Sequence, residues 1–334
     1  MTKVAVLGAG AWGTALAKVI AEGGSEVRLW TWESEHADAM RRDRQNARFL
    51  EGVPLPPAVA PTSDVAGALA GVDRVIAALP SHALRDTLER VAPLLPAGAL
   101  WVSATKGIEN TSLMTMSEVA LDVLGPECRD RLLVLSGPSF AREVVGKTPT
   151  NLVVAGSVGS PAAAVQSWLS TDWLRVYVSS DPIGVEIGGA LKNVIAIAVG
   201  ACEGLGFGHN TRAALITRGL AEMTRLAVAK GGDARTLSGL SGLGDLVLTC
   251  TGELSRNRTV GVEMGRGRPL ADVLRDLGHV AEGVATARSG YELGQRLGVD
   301  LPITNQVYHV LHEQKSLARA VRDVLARPLK SEWE

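Results

Sequence analysis

One lysine stands in an apolar stretch where a charge needs a chemical explanation. Lys192 lies within residues 186–199, which are apolar at nearly every position after the first turn of a predicted helix. Such a helix is buried on all sides, and an unpaired ammonium inside it is strongly unfavourable. The amine must meet a partner, line a cavity or lose its proton, and these conditions suit an acid or base near neutral pH. The alternative is a packed stem whose ammonium reaches water.

A carboxylate, Asp245, occupies a comparable place in the glycine-bounded apolar segment 242–250. It also needs a partner, and a cation such as Lys192 nearby would satisfy both groups. A turn or helix-capping role for Asp245 is the structural alternative.

Phosphate binding is indicated near the start of the chain by GAGAWG at residues 8–13, between an apolar strand and a helix-forming run. In a dinucleotide-binding turn the three glycines allow the tight turn, the approach of a pyrophosphate and close helix–strand packing. The helix N-terminus adds amides and a partial positive charge. This placement favours dinucleotide binding over a turn without a ligand.

The choice between NAD and NADP depends on the tip of the second predicted strand, LWTWE, at residues 29–33. Glu33 is a candidate ribose partner and Trp32 could flank the adenine, although each could equally be simple surface. The tip has no clear ribose-binding Asp and no Arg for a 2′-phosphate. The prediction is therefore NAD(P), with the two cofactors unresolved.

A second anion site is indicated by SRNR at residues 255–258, where Ser255 is a candidate N-cap for a helix that begins at Arg256. Amides, a hydroxyl and guanidinium groups together suit phosphate. A capped surface helix with solvated arginines is the alternative.

Two loops that follow predicted strands contain further candidate ligand-binding residues. Lys106 follows the strand at 100–104, and Gly137 and Ser139 follow the strand at 132–135. Ligands of open α/β sheets bind at the carboxyl ends of strands, so we expect these loops to meet in one crevice.

The elements that must position these residues alternate between strand and helix through the first half of the chain. Predicted strands are 4–7, 26–30, 74–79, 100–104, 132–135, 151–155 and 174–178, and predicted helices are 12–22, 34–42, 83–95 and 113–124. This alternation predicts an α/β fold with a doubly wound, mostly parallel sheet. The proline-rich segment 52–61 is predicted to be an extended surface loop.

The second half is predicted to be helical. The helices are expected at 185–201, 212–230, 256–265, 270–277, 286–297 and 304–313. The chain therefore divides into an N-terminal Rossmann-like dinucleotide-binding domain, 1–180, and an all-helical C-terminal substrate and catalytic domain, 181–334.

The bulk composition excludes several classes of function. With 34 basic and 35 acidic residues the net charge is −1, so no overall field attracts nucleic acid or an anionic membrane. Continuous apolar runs such as 194–202 are shorter than the roughly 20 residues of a membrane span. No signal peptide is recognised, which predicts a cytoplasmic protein. Three scattered cysteines and six histidines suggest buried thiols and no metal site.

Taken in order, these segments resemble the NAD(P)-dependent glycerol-3-phosphate dehydrogenases, the bacterial form above all, over almost the whole chain. The motifs are GAGAWGTALA from Gly8, ATKGIE from Ala104, SGPSFAREV from Ser136, GALKNVIAIAVG from Gly189, NTRAALITRGLAE from Asn210, GLGDLVLTC from Gly242, SRNR from Ser255 and VAEGVAT from Val280.

The resemblance implies a role for individual residues. Lys192 is implied as the catalytic proton donor and acceptor. Substrate contacts are implied for Lys106, Gly137, Ser139, Lys192, Asp245, Thr249, Ser255, Arg256 and Asn257. Cofactor contacts are implied for Gly8, Gly10, Ala11, Trp12, Gly13, Trp32, Lys106, Ala141, Arg256, Val280 and Glu282. Relatives often carry His or Arg in place of Trp32, so the resemblance does not establish a preference for NADP.

The reaction that the resemblance implies is hydride transfer with NAD(P) between sn-glycerol 3-phosphate and dihydroxyacetone phosphate, supplying glycerol 3-phosphate for phospholipid synthesis. A homodimer is also implied. One alternative is another β-hydroxyacid dehydrogenase of similar architecture, against which the SRNR segment argues. The other is a non-catalytic dinucleotide-sensing protein, which would have little use for Lys192.

Overall fold

The computed structural model describes residues 2–278, 280–329 and 331–332. The outermost positions of the two predicted domains, 1 and 333–334, lie outside the described residues.

Within the described residues, eight strands form one sheet in the order β3-β2-β1-β4-β5-β6-β7-β8. The strands are β1 (Lys3–Leu7), β2 (Glu26–Trp30), β3 (Val59–Thr62), β4 (Arg74–Ala77), β5 (Leu100–Ser103), β6 (Leu132–Ser136), β7 (Thr150–Gly156) and β8 (Leu174–Ser179). All neighbours pair in parallel except β6 and β7. The order reverses between β1 and β4, the position where such sheets bind ligands beyond their strand ends. The predicted doubly wound sheet is confirmed.

Helices cover this sheet. They are α1 (Ala11–Glu22), α2 (Ser34–Asp43), α3 (Val65–Leu69), α4 (Leu84–Val91), α5 (Met116–Leu124), α6 (Ala141–Val145) and α7 (Ala162–Leu169), with 3₁₀ turns at Ser81–Ala83, Ala92–Leu94 and Pro126–Arg131. α4 ends before residue 95, the predicted end of this helix, because Pro93 interrupts the helical hydrogen bonds. α5 begins after residue 113, the predicted start of this helix, because Thr115 and Glu118 form a capping box.

The predicted surface loop at 52–61 is wrong at its end, where residues 59–62 form the edge strand β3. β3 runs parallel to β2, with Val59 beside Val27 and Thr62 beside Trp30. Pro61 is buried yet tolerated, because an edge strand leaves one side without hydrogen-bond partners and does not require its missing amide.

Every regular element described after β8 is helical. These elements are α8 (Pro182–Gly204), α9 (His209–Ala229), α10 (Ala234–Leu237), a π-helical turn (Leu240–Gly244), α11 (Asp245–Thr251), α12 (Arg256–Gly265), α13 (Leu270–Leu277), α14 (Glu282–Leu297), α15 (Pro302–His312) and α16 (Leu317–Leu325). The helical C-terminal part is confirmed. The boundary at residue 180 stays a prediction.

α8 is the central helix of this second part. Its length of 23 residues and the mean hydropathy of 1.5 in an 18-residue window of it would suit a membrane span, but 89% of that window is buried inside the protein. Ile187, Leu191 and Val194 are fully buried and belong to a core that also includes Ile108 and Leu113 from the first half. The helix that carries Lys192 is therefore packed against both halves of the chain.

Candidate active site

Lys192 lies near the middle of α8 with its ammonium inside the protein. The residue is 7% exposed. Its Nζ donates hydrogen bonds to Asp245 Oδ1 at 2.5 Å and to Thr249 Oγ1 at 2.9 Å. The interpretation in which the ammonium reaches water is therefore wrong, and the amine meets the partner that its burial requires.

Asp245 is shared between two lysines. Its other oxygen, Oδ2, accepts a hydrogen bond from Lys106 Nζ at 2.7 Å, and Lys106 also donates to the Gly137 carbonyl at 3.2 Å. Ser139 Oγ donates to that same carbonyl at 3.0 Å. The loops after β5 and β6 therefore meet at the Lys106 ammonium, which also bonds Asp245, as predicted from their positions at the sheet edge.

Local backbone structure presents Asp245 to the lysines. The π-helical turn at Leu240–Gly244 ends directly before α11, of which Asp245 is the first residue. Such turns are uncommon and frequently occur at functional sites. The helix-capping alternative for Asp245 is wrong, because Gly244 is the N-cap of α11 and the 1% exposed Asp245 side chain is paired with Lys106 and Lys192.

The surroundings of Lys192 lower the pKa of its ammonium to about 8. Burial is the largest cause, because removal from water disfavours the charged form. The Asp245 carboxylate opposes this change, and the nearby Lys106 ammonium adds to it. Both protonation states are therefore accessible close to neutral pH, as a proton donor and acceptor requires.

The SRNR segment provides one available arginine. Ser255 caps α12 by accepting a hydrogen bond from the Arg258 amide at 3.2 Å, which confirms its predicted N-cap role. Arg258 is occupied by Glu203, with contacts of 2.5 and 3.1 Å. Arg256 is exposed and has no hydrogen bond or ion pair within the described part of the chain. Of the two guanidinium groups, that of Arg256 is free to bind an anion.

Asn257 joins three helices beside this arginine. Its Nδ2 donates to Asn193 Oδ1 at 2.9 Å, and its Oδ1 accepts from the Gly283 amide at 2.9 Å. Asn193 neighbours Lys192 in α8 and was not predicted as a site residue from the sequence. The sequence did contain a signal for Asn193, because a second polar residue in an apolar helix also needs a hydrogen-bond partner when it is buried.

The glycine turn fits a dinucleotide. Gly8 has φ +107°, and a Cβ on Gly13 would lie 1.9 Å from the Gly8 carbonyl oxygen. α1 begins after Gly10 without a side-chain cap, so its first amides remain available to a pyrophosphate. The Trp12 indole Nε1 is buried without a hydrogen-bond partner among the described residues. A close-packed turn with unsatisfied donors is what a phosphate ligand needs.

Asn46 holds this turn in place and was also missed. It is fully buried, and its Nδ2 donates to the Ala9 carbonyl at 2.8 Å and to Thr14 Oγ1 at 2.7 Å. Its Oδ1 lies 3.0 Å from His36 Nε2. No sequence signal predicted this residue, because it comes from a loop distant along the chain.

Direct contacts link the glycine turn to the lysines. A Cβ on Gly8 would lie 2.4 Å from the Ala78 carbonyl oxygen, and the next amide, of Leu79, donates to Thr105 Oγ1 at 3.2 Å. Thr105 precedes Lys106, which bonds Asp245. The predicted nucleotide turn and Lys192 are therefore connected through successive packed loops.

Glu282, in the helical half of the chain, contacts the loop after β4. It is the first residue of α14 and accepts a hydrogen bond from Ser81 Oγ at 2.7 Å. Burial raises the pKa of its carboxyl, and the bonds from Ser81 oppose that change. Trp32 is 74% exposed, Val280 is 42% exposed and Ala141 begins α6. No described hydrogen bond or ion pair joins these last three to the lysine cluster.

Among the described residues, no cysteine or histidine side chain is hydrogen-bonded to Lys106, Lys192 or Asp245, and His279 lies outside the described residues. Cys128 and Cys250 are buried as predicted, whereas Cys202 is partly exposed, so the prediction of a buried thiol is wrong there. Among residues 2–278, 280–329 and 331–332, no three His, Cys, Asp or Glu side chains are grouped to hold a metal ion.

Comparison with known proteins gives consistent matches along the chain. Residues 3–160 match the model of the NAD-dependent glycerol-3-phosphate dehydrogenase N-terminus, and residues 181–322 match that of its C-terminus. The chain is 53% identical to the glycerol-3-phosphate dehydrogenase [NAD(P)+] of Geobacter sulfurreducens, over 99% of this chain and 98% of that protein. For the Myxococcus xanthus protein of the same name, identity is 52% over 98% of each.

A solved structure agrees with these matches. The crystal structure of glycerol-3-phosphate dehydrogenase from Coxiella burnetii superposes with a TM-score of 0.93 at 39% identity, covering 98% of this chain and 99% of that chain.

Proposed function

Because the chain belongs to the NAD-dependent glycerol-3-phosphate dehydrogenase family, we propose that it is an oxidoreductase that interconverts sn-glycerol 3-phosphate and dihydroxyacetone phosphate with NAD(P). The matches extend through both halves of the chain at 53% identity to one relative. They support this reaction over that of another β-hydroxyacid dehydrogenase and over a sensor without turnover.

The observation that carries the chemistry is the buried ammonium of Lys192. It is held by Asp245 and Thr249, and its pKa is lowered to about 8. In ketone reduction Lys192 donates a proton to the oxygen that becomes a hydroxyl, and in alcohol oxidation it takes that proton back. Asp245 fixes the position of Nζ, and Thr249 Oγ1 accepts a hydrogen bond from Nζ.

The other polar groups orient the substrate. Arg256 and the N-terminus of α12, capped by Ser255, bind the phosphate. Asn257 keeps α12 against α8 and α14. Lys106, Gly137 and Ser139 face the polyol end. Binding at the phosphate, remote from the reacting carbon, contributes to catalysis because it holds that carbon beside Lys192.

The cofactor belongs at the carboxyl end of β1. Gly8, Gly10, Ala11, Trp12 and Gly13 would hold its pyrophosphate, with Trp32, Ala141, Val280 and Glu282 at other parts of the dinucleotide. When bound, the nicotinamide supplies or takes the hydride. The chain's own contribution is orientation and the proton at Lys192 Nζ.

On the resemblance to this family, we place the enzyme in the cytoplasm as a homodimer that supplies glycerol 3-phosphate for phospholipid synthesis. Sedimentation analysis of the purified chain tests the oligomeric state, and a single species of monomer mass would contradict the dimer.

The decisive experiment is an assay of purified chain with dihydroxyacetone phosphate and either NADH or NADPH. We expect the reduced cofactor to be consumed and glycerol 3-phosphate to form. Lys192→Ala should reduce turnover by about 10²- to 10⁴-fold, the usual contribution of a positioned acid or base, with a small effect on substrate binding.

The matched control is Lys230→Ala, because Lys230 is also partly buried and paired with a carboxylate, Glu118 at 2.7 Å. It should retain turnover. Absence of turnover with both cofactors contradicts the enzyme assignment, and near-normal turnover of Lys192→Ala means that another group donates the proton.

A further inference from the structure

An ion pair lies at the tip of β2, beside the predicted cofactor turn. Glu33 follows Gly13 by twenty positions, the separation at which dinucleotide-binding folds place an acidic ribose ligand. It precedes α2 but makes no side-chain capping bond to that helix. Its carboxylate instead pairs with the guanidinium of Arg48.

The fold brings Arg48 to this place through Asn46. The Asn46 amide is bonded to Ala9 and Thr14 of the glycine turn, and its Oδ1 accepts from the Phe49 amide at 3.3 Å. Arg48 lies between these two anchored residues, and its guanidinium carbon is 5.0 Å from the centre of the Phe49 ring. The cation is therefore positioned by buried hydrogen bonds to the turn itself.

The two charges have opposite consequences for an adenosine ribose. A carboxylate accepts hydrogen bonds from free 2′- and 3′-hydroxyls and repels a 2′-phosphate, whereas a guanidinium binds that phosphate through a bidentate fork. The side chains of Arg48 and Glu33 are 51% and 29% exposed, so solvent screens their attraction and separating them is inexpensive. Either partner can thus be released to a ligand.

We propose that the Glu33–Arg48 pair selects between the two cofactors, with Glu33 favouring NAD and Arg48 favouring NADP. The inference rests on the proposed dinucleotide-dependent function and goes beyond it, because it assigns the specificity to two residues of opposite effect.

The test uses the full chain and measures kcat/KM for NADH and for NADPH at saturating dihydroxyacetone phosphate. Glu33→Gln should raise the NADPH-to-NADH ratio of these values about fivefold, and Arg48→Gln should lower it about fivefold, as one partly screened charge contact allows. The Arg48→Gln effect should shrink at high ionic strength, because it depends on an exposed charge.

Two matched variants serve as controls. Glu35→Gln removes an exposed acid two positions from Glu33, and Arg41→Gln removes an arginine that is similarly exposed and paired, with Asp38. Both should leave the ratio unchanged. Equilibrium binding of NADH and NADPH, followed by protein fluorescence, gives a second readout that does not require turnover.

The outcomes separate this inference from the proposed function. Ratios that stay unchanged in both variants, or that move in the same direction, overturn the selection mechanism while leaving the dehydrogenase intact. Absence of turnover with either cofactor in the unaltered chain, by contrast, refutes the proposed function, and the binding ratios still test the roles of Glu33 and Arg48.

Discussion

At the scale of single residues, the centre of the site holds two ammonium groups and one carboxylate. Asp245 bonds both Lys106 and Lys192, so the three side chains carry a net positive charge when both lysines are protonated. This excess favours an anionic substrate in the same crevice. The pKa of Lys192 is lowered chiefly by burial, which the Asp245 carboxylate opposes and the Lys106 charge reinforces.

The first prediction concerns pH. Ketone reduction needs the protonated form of Lys192, so kcat for reduction should fall as pH rises through about 8, while kcat for oxidation should rise over the same range. Lys106→Met removes a neighbouring positive charge and should move both midpoints to higher pH, since that charge lowers the Lys192 pKa. Steady-state rates across the pH range check this, and midpoints that do not move would contradict the role of Lys106.

A second prediction separates the two arginines of α12. Arg256→Ala should raise KM for dihydroxyacetone phosphate by about 10- to 100-fold, the worth of one charged hydrogen-bonding contact, without lowering the melting temperature. Arg258→Ala should lower the melting temperature, because it removes one of the cations that pair with Glu203, whose carboxylate then keeps its ion pair with Arg212. Equal effects of the two changes on KM and stability would contradict the assignment.

At the scale of elements, α8 and α12 pack backbone against backbone. A Cβ on Gly200 would lie 2.1 Å from the Arg258 carbonyl oxygen, and one on Gly261 would lie 2.1 Å from that of Ile197. The glycines therefore allow the approach that lets Asn257 reach Asn193, next to Lys192. Helix packing thus sets the separation between the phosphate site and the proton donor.

The third prediction tests this packing. Gly261→Ala should separate the helices, lower stability by about 1–3 kcal/mol through overpacking and raise KM for the phosphorylated substrate. The control is Gly98→Ala, because a Cβ there would meet no atom within 4 Å. Thermal denaturation and substrate titration provide the measurements. Unchanged stability and KM in Gly261→Ala would mean that the helices can relax without moving the site.

The loop that carries Lys106 is fixed by a second element contact. Arg85 in α4 bonds both oxygens of Glu109 at 2.9 and 3.0 Å and Asp122 in α5 at 2.6 Å. The Arg85 guanidinium lowers the pKa of the Glu109 carboxyl. Lys106 therefore stands on a loop whose position is set before any substrate binds.

At the scale of the whole molecule, a buried carboxylate joins the two halves. Glu186 in α8 accepts hydrogen bonds from the Ser117 amide at 2.8 Å and from Ser117 Oγ at 2.5 Å, at the start of α5. Burial raises the pKa of Glu186 to about 7, which these hydrogen bonds only partly oppose. Removal of this charge from water therefore destabilises the fold when the carboxyl is ionised.

The fourth prediction follows from that pKa. Because the folded value, about 7, exceeds the ordinary 4.5, the stability contribution of Glu186 is fully present below 4.5 and is lost as pH rises through 7. Glu186→Gln should therefore show a smaller fall in melting temperature between about pH 5 and pH 8 than the unaltered chain. The exposed Glu89→Gln is the control. An identical pH dependence in Glu186→Gln would contradict the role of this carboxyl.

The alternation of apolar runs was sufficient to predict seven of the eight described strands and the longer helices, because the spacing of apolar residues and backbone preference are local properties of a sequence. Short helices such as α3 and α6 were missed, since five residues contain too little periodicity. β3 was missed because prolines normally indicate a loop, and only its place at the sheet edge makes Pro61 acceptable.

The lysine and the aspartate could likewise be recognised in the sequence, because a charge in an apolar segment requires a partner wherever it lies. Their pairing could not. Asp245 lies 53 positions from Lys192 and 139 from Lys106, and such contacts depend on how the sheet and the helices close around α8. The same holds for the engagement of Arg258 by Glu203, which leaves Arg256 free, and for Asn46 beneath the glycine turn. Residue types and their spacing specify which chemistry is available, whereas long-range packing selects the groups that meet.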